Sequence, residues 1–300
     1  MVTQKVVREL IIIAQKRGDK EMEKSLWNTY YCLNEIIVSD HKLYGSYCKN
    51  RICTTCNSIR KAKIINKYLP VIKTWANPQL VTLTAKSCYA KNLNSRMEAM
   101  KRAFKMILTT CNKRYQRGNG PKLIGIKSLE CNFNPEERTY NPHYHIIVPN
   151  WEIAILLKRE WMKLWTKRYT NGWAQDIRKI TNNIEGIIEV VKYGSKIFTE
   201  PDPNKKNREK VTRYVYISAL YNILSAMKNI RLFDRFGFNL PIVSPSELIS
   251  PSTLIKYEEM SYDSDIRDWV NEETGETLSG YTPSADLLHI LSQHINTELQ

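Results

Sequence analysis

The segment Pro142-His143-Tyr144-His145-Ile146-Ile147-Val148 holds two imidazoles two residues apart. On a β-strand such residues share a face, so His143 and His145 point one way while Tyr144 and Ile146 enter the opposite layer. Two imidazoles side by side make a pair of metal ligands. The preceding apolar stretch carries Glu130, and a hairpin register can bring its carboxylate beside them. Two nitrogens, one carboxylate oxygen and open positions suit Mn²⁺ or Mg²⁺ bound together with a phosphate. The plain alternatives are a surface histidine pair and a glutamate facing a lysine across the strands.

A second group lies at Glu189-Val-Val-Lys192-Tyr193-Gly-Ser-Lys196. At 3.6 residues per turn Glu189, Lys192, Tyr193 and Lys196 share one helix face, with Ile184, Ile187, Ile188, Val191 and Phe198 on the other. A phenol can act as a nucleophile, and nearby lysines or a metal favour its phenolate. The alternative is an amphipathic surface helix with a Glu–Lys pair.

A third group is cysteine. Cys53 and Cys56 have a zinc-knuckle spacing, and Cys48 adds a third thiolate. Cys32 is read as the fourth ligand, with His41 the alternative; reduced, buried cysteines are the competing account. Seven cysteines, an odd number, behind no secretory signal argue against a disulfide framework. Lys49, Arg51, Arg60, Lys61 and Lys63 surround the cluster and are read, with Lys192, as DNA contacts.

The elements that must position these groups follow from periodicity. Residues 1–31 read as polar helix and 32–63 as loop-rich. A strand is expected over 79–87 and a helix over 94–115, stopped at Arg117-Gly-Asn-Gly-Pro121. Leu123–Asn132 and His143–Val148 read as strands of a hairpin with a long connection, because Asn134-Pro135 and Asn141-Pro142 fall between them. Helical spacing returns over 152–169, a short strand near Trp173–Ile180, and a helix from about Asn183 to Phe198. A turn-rich linker follows at 201–207, then a helix over 212–230. Weak order is expected after Pro241 until a short helix near 285–295. The order predicts an α+β fold, an antiparallel-rich central sheet with helices packed on one face, of ferredoxin-like type.

The chain has 300 residues, 45 basic and 30 acidic, for a net charge of +15. Residues 251–300 hold two basic and ten acidic residues, so residues 1–250 carry 43 against 20, a net of +23. A body that basic points to a polyanion, most often nucleic acid, rather than merely to a solvated surface. The longest wholly apolar runs, Leu10–Ala14 among them, are far below the roughly 20 residues of a membrane span. A soluble, cytoplasmic protein is therefore expected.

Three motifs together resemble the rolling-circle replication initiators of bacterial plasmids, in the His–hydrophobe–His (HUH) endonuclease superfamily. Leu80-Val-Thr-Leu-Thr84 is similar to the family's first motif, Pro142–Ile147 to the metal-binding second and Glu189–Lys196 to the third, Tyr-x-x-Lys. Cys48, Cys53, Cys56 and Arg60 resemble a cysteine-rich segment of one plasmid subgroup. The resemblance covers roughly residues 30–200 and implies an HUH nuclease core with these roles. His143, His145 and Glu130 bind a divalent metal. Tyr193 attacks the scissile phosphodiester to give a 5′-phosphotyrosyl bond and a free 3′-OH. Lys196 orients phosphate, and Glu189 activates water to end a round of replication. Origin DNA, single-stranded or cruciform, is the implied partner, with host helicase and polymerase, and a homo-oligomer is compatible with the resemblance. Gly194 beside the tyrosine, and Thr54 in place of a proline common between the last two cysteines, depart from the pattern.

The implied division is a helical, cysteine-rich DNA-binding region at 1–75, the endonuclease at 76–200, and a helical C-terminal region with an acidic tail at 201–300. Three other readings compete. A relaxase normally places its tyrosine before the histidines, and a single-tyrosine HUH transposase is usually shorter and lacks the cysteines. A zinc-containing, non-catalytic DNA-binding regulator leaves the catalytic-type residues as coincidence.

Overall fold

The computed structural model describes residues 2–32, 36–39, 42–45, 47–181, 213–240, 260–263 and 268–271. Helices α1 (Val2–Lys16) and α2 (Lys20–Tyr30) replace the single expected helix. Gly18 turns the chain at φ +67°, and Asp19 caps α2, its carboxylate accepting from Met22 N–H at 3.0 Å and from the Tyr221 hydroxyl at 3.0 Å. The hairpin β1 (Ile36–Ser39) and β2 (Lys42–Gly45) follows.

Helix α3 (Thr54–Lys73) occupies sequence read partly as loop. Its clustered cysteines and Pro70 hide it, since an interior proline removes a helical hydrogen bond. Its face of Ile65, Tyr68, Leu69 and Ile72 is buried all the same, so tertiary packing overrides propensity here.

The centre is a five-stranded, wholly antiparallel sheet. It comprises β3 (Gln79–Thr84), β4 (Gly125–Asn134), β5 (Thr139–Val148), β6 (Asp176–Lys179) and β7 (Phe233–Phe236), in the order β6-β3-β5-β4-β7. Helices α4 (Leu93–Gln116), α5 (Trp151–Leu164) and α6 (Arg213–Ala226) complete the main body. The α+β class is as expected. One difference is the β4–β5 connection, which is tight and not long. Asn134 accepts from the amides of Glu136 and Glu137, an Asx turn, and Arg138 takes φ +53°. Pro142 lies within β5. Trp173 lies in a 3₁₀ turn, Gly172–Ala174, ahead of β6. A second difference is the small hairpin β8 (Met260–Asp263) and β9 (Asp268–Asn271), where weak order was expected. The linker at 201–207 and the helix expected over 285–295 lie outside the described residues.

Alternation along the strands explains the layering. Val81, Leu83, Leu129, Cys131, Phe133, Tyr144, Ile146 and Val148 face one way and form the main core with α4, α5 and part of α6. Each such side chain contributes about 1.5–3 kcal/mol on burial. The other face is divided. Leu80, Ile126, Ile147 and Ile180 pack against α3. Farther along the same strands, that face becomes Thr82, Thr84, Ser128, Glu130, Asn132, Asn141, His143 and His145. The apolar half carries a helix, and the polar half is where the chemistry sits. A third core joins α1 and α2 to α6 through Val7, Leu10, Leu26, Tyr216, Ile217 and Leu220. Among the described residues no helix is long and apolar enough to cross a membrane.

Candidate active site

The β4–β5 register sets Glu130 directly opposite His143, and β3 sets Thr84 and Thr82 opposite His143 and His145. The Nε2 atoms of both histidines lie 3.8 Å from Oε2 of Glu130. The two rings are 4.8 Å apart, edge to face. Glu130 and His143 are buried, at 8% and 5% exposure.

Neighbouring groups orient the three donors. His143 Nδ1 lies 3.0 Å from the Asn141 carbonyl. A carbonyl only accepts, so Nδ1 carries a proton and donates it; in the neutral ring Nε2, on the Glu130 side, is then the nitrogen free to ligate a metal. His145 Nδ1 lies 3.2 Å from Thr82 Oγ1, an equivalent anchor on β3. Ser128 Oγ donates to Glu130 Oε1 at 3.3 Å. The end of β3 is itself fixed: Trp161 Nε1 donates to the Thr84 carbonyl at 2.8 Å, and Gln175 Oε1 accepts from Thr84 N–H at 2.7 Å.

One carboxylate oxygen and two nitrogens, all within 4.8 Å of one another, form a donor set suited to a small divalent cation. Adjacent ligands of an octahedral ion at about 2.1 Å stand roughly 3 Å apart. Small rotations about the side-chain bonds cover the difference from 3.8 Å. The residues therefore fit the Mn²⁺ or Mg²⁺ expected from their types.

Beside this group, past Asn141, lies a cavity of about 670 Å³ lined by Thr84, Asn132, Asn141, Lys86, Lys167 and Arg168 among others. Asn171 and Ala174, which flank Trp173, also line it, and Trp173 is 99% exposed. Sequence reasoning missed this rim. A tryptophan between Gly172 and Ala174 was available as a signal, but only the fold shows its exposure among the described residues.

The helix read over 183–198, with Glu189, Lys192, Tyr193 and Lys196, lies outside the described residues. The DNA contacts read around the cysteines are altered in part. Lys61 is only 2% exposed, so it does not present its ammonium to a passing duplex. Arg51 donates to the carbonyls of Met227 and Ile230, at 2.8 and 2.6 Å, and so ties the chain together rather than facing outward. Arg60 donates to the Lys49 carbonyl at 2.6 Å, and Lys49 itself is exposed. The four early cysteines do come together, with Cys32 in the fourth position; His41 lies outside the described residues. The Cys53 thiol, which donates to Cys48, holds Cys48 down at about 5.

A profile of the family described as "Replication protein" (Rep_1) matches residues 41–236, a span that includes Cys48, Cys53 and Cys56 of the cysteine cluster, the sheet and the Glu–His–His group. This chain belongs to the replication-protein family. Among its curated relatives, a "Protein rep" of a Bacillus species is 25% identical over 207 residues, 59% of this chain and 66% of that protein. A "Protein rep" of Streptococcus pneumoniae serotype 2 is 25% identical over 174 residues, 51% of this chain and 52% of its own. One from Staphylococcus aureus is 27% identical over 173 residues, 52% and 72% of the two chains. The chain thus spans about half to two thirds of the length of the first two of these replication proteins. No solved structure matches.

Proposed function

We propose that this chain initiates rolling-circle replication of a plasmid by nicking one strand of the origin with a tyrosine nucleophile. The observation that carries the reading is the Glu130–His143–His145 group, set on the polar half of the sheet in a chain of the replication-protein family. A divalent cation held there, Mn²⁺ or Mg²⁺, supplies charge neutralisation at the scissile phosphate.

The chain's own residues do the rest. Asn141, Thr82 and Ser128 keep His143, His145 and Glu130 in a ligating orientation. The phenolate oxygen of Tyr193 attacks phosphorus. The O3′–P bond breaks, and the departing oxygen takes a proton to become the 3′-OH that a host polymerase extends. A 5′-phosphotyrosyl ester remains, so rejoining needs no added energy source. Lys196 and Lys192 steady the phosphate, and Glu189 takes a proton from water when the final ester is hydrolysed. The basic region at 1–75 grips the origin duplex, with Lys49 among its exposed cations, and residues 76–200 carry the nuclease. A host helicase separates the strands ahead of synthesis.

The test is a covalent-adduct assay with Mn²⁺ and single-stranded DNA tiling the parent replicon. An SDS-resistant protein–DNA band is expected from the wild type and from Glu189→Ala, and none from Tyr193→Phe. Absence of any band on every tile would leave a non-catalytic DNA-binding regulator as the better account. A band that survives Tyr193→Phe would move the nucleophile elsewhere.

The polar cavity with its three cations is suited to the nucleotides next to the cut, and the uncovered Trp173 indole offers a stacking platform. Trp173→Ala should weaken single-stranded DNA binding by about 1–3 kcal/mol. Thermal stability should stay unchanged, because the side chain is 99% exposed among the described residues. Unaltered affinity in a fluorescence-anisotropy titration would exclude the stacking role.

A further inference from the structure

We propose that Cys32, Cys48, Cys53 and Cys56 hold one Zn²⁺ as a tetrathiolate clasp, and that the clasp, acting through Arg51, fixes the turn leading into β7. This goes beyond the nicking reading and does not depend on it.

The geometry is that of a mononuclear site. Cys56 Sγ lies 3.6 Å from the sulfurs of both Cys32 and Cys48, and all four sulfurs fall within 4.8 Å of one another. A tetrahedral ion with Zn–S bonds of about 2.3 Å sets its sulfurs roughly 3.8 Å apart. A disulfide needs about 2.05 Å, and all four thiols are free. A two-iron cluster divides its thiolates between two metals and spreads them wider than this. The sulfurs form a small group of their own, separate from the three apolar cores, so hydrophobic packing does not explain why they converge.

The backbone is arranged around sulfur as well. The amides of Cys48, Lys49 and Asn50 point at Cys32, Cys56 and Cys48 respectively, at 3.5, 3.3 and 3.4 Å. Lys49 adopts φ +57° to bring its amide round. Such N–H groups offset thiolate charge, as the outer partners of metal ligands do.

The loop between Cys48 and Cys53 is also a connector. Asn50 Nδ2 donates to Ser25 Oγ of α2 at 3.1 Å. Arg51 donates to the Met227 and Ile230 carbonyls, which lie just past the end of α6 where helical partners run out. Two residues on, the Leu232 carbonyl accepts from Leu129 N–H, and Phe233 pairs with Ser128, two positions from Glu130. An ion joining α2, the loop and α3 therefore acts on the edge of the sheet that carries the metal-binding carboxylate.

The experiment uses the full chain. After dialysis against a weak chelator, plasma mass spectrometry should find one zinc per chain in the wild type, in Glu130→Ala and in Arg51→Ala. Cys32→Ser and Cys56→Ser should lose it. Cobalt exchanged into the wild type should show the intense visible bands and thiolate charge transfer of a tetrahedral sulfur site, which keeps the proposal testable if a cysteine variant does not fold. Stripping the wild type with a strong chelator should speed amide exchange over residues 227–236 by about tenfold or more. In Arg51→Ala that exchange should be fast already and respond little. A chain that holds no zinc, or holds it independently of the cysteines, or holds iron instead, would overturn the site. Zinc-dependent stability with unchanged exchange over 227–236 would overturn the clasp. Neither result bears on the Tyr193 adduct, so the two readings fail separately.

Discussion

His143→Ala should reduce metal-dependent strand cleavage on the order of 10³-fold while leaving the fold intact. Its imidazole is one of three donors converging within 4.8 Å, and no other described side chain replaces it there. Losing a ligand forfeits several kcal/mol of charge stabilisation at the phosphate, and each 1.36 kcal/mol is tenfold in rate. The fold should tolerate the change because the ring lies on the polar half of the sheet, while β5 is held by Tyr144, Ile146 and Val148 on the opposite face. Glu130→Gln keeps the shape and removes the charge, so its defect should shrink as Mn²⁺ is raised, whereas that of His143→Ala should not. Cleaved-strand yield across a Mn²⁺ titration, with melting temperature measured alongside, reads both. Cleavage by His143→Ala at the wild-type rate would remove this group from the chemistry.

The largest effect on stability is expected from Gly237→Ala, at about 3 kcal/mol or more. Gly237 follows β7 at φ +78°, and a Cβ there would run into the Leu123 carbonyl oxygen and stand 2.8 Å from its carbon. Backbone cannot swing aside as a flexible side chain can, so β7 would be forced off β4. Gly118 provides the control. It also has positive φ, +75°, but a Cβ there would meet nothing within 4 Å. Gly118→Ala should therefore cost only the left-handed penalty, about 1–2 kcal/mol. Urea denaturation of the two variants separates the effects. Equal losses would show that conformation, and not close approach, governs Gly237.

Much of the site was legible because its signal is local. A period of two places His143 and His145 on one face whatever the rest of the chain does, and the α4 pattern of Met97, Met100, Phe104, Ile107 and Cys111 marks its buried stripe without reference to a partner. What misled was chemistry that depends on neighbours. The asparagine–proline pairs suggested a long loop, yet Asn134 closes a four-residue turn with its own side chain and Pro142 is accommodated inside β5. Lys61 and Arg51 read as DNA contacts, yet Lys61 is buried and Arg51 donates to two backbone carbonyls, because charge in a sequence carries no information about burial or partners.

Residue type and spacing by themselves determined the α+β class, the pairing of the histidines and the cysteine knuckle, since each rests on contacts within a few residues. Only the tertiary structure decided that Glu130 stands opposite His143, because a slip of one residue in the β4–β5 register would turn it to the other face. Only the fold brought Cys32 to Cys56 across 24 residues, left Trp173 uncovered, and laid α3 over the apolar half of the sheet so that the polar half remained for chemistry. These are meetings between distant segments, and they are set by how whole faces pack rather than by any local preference.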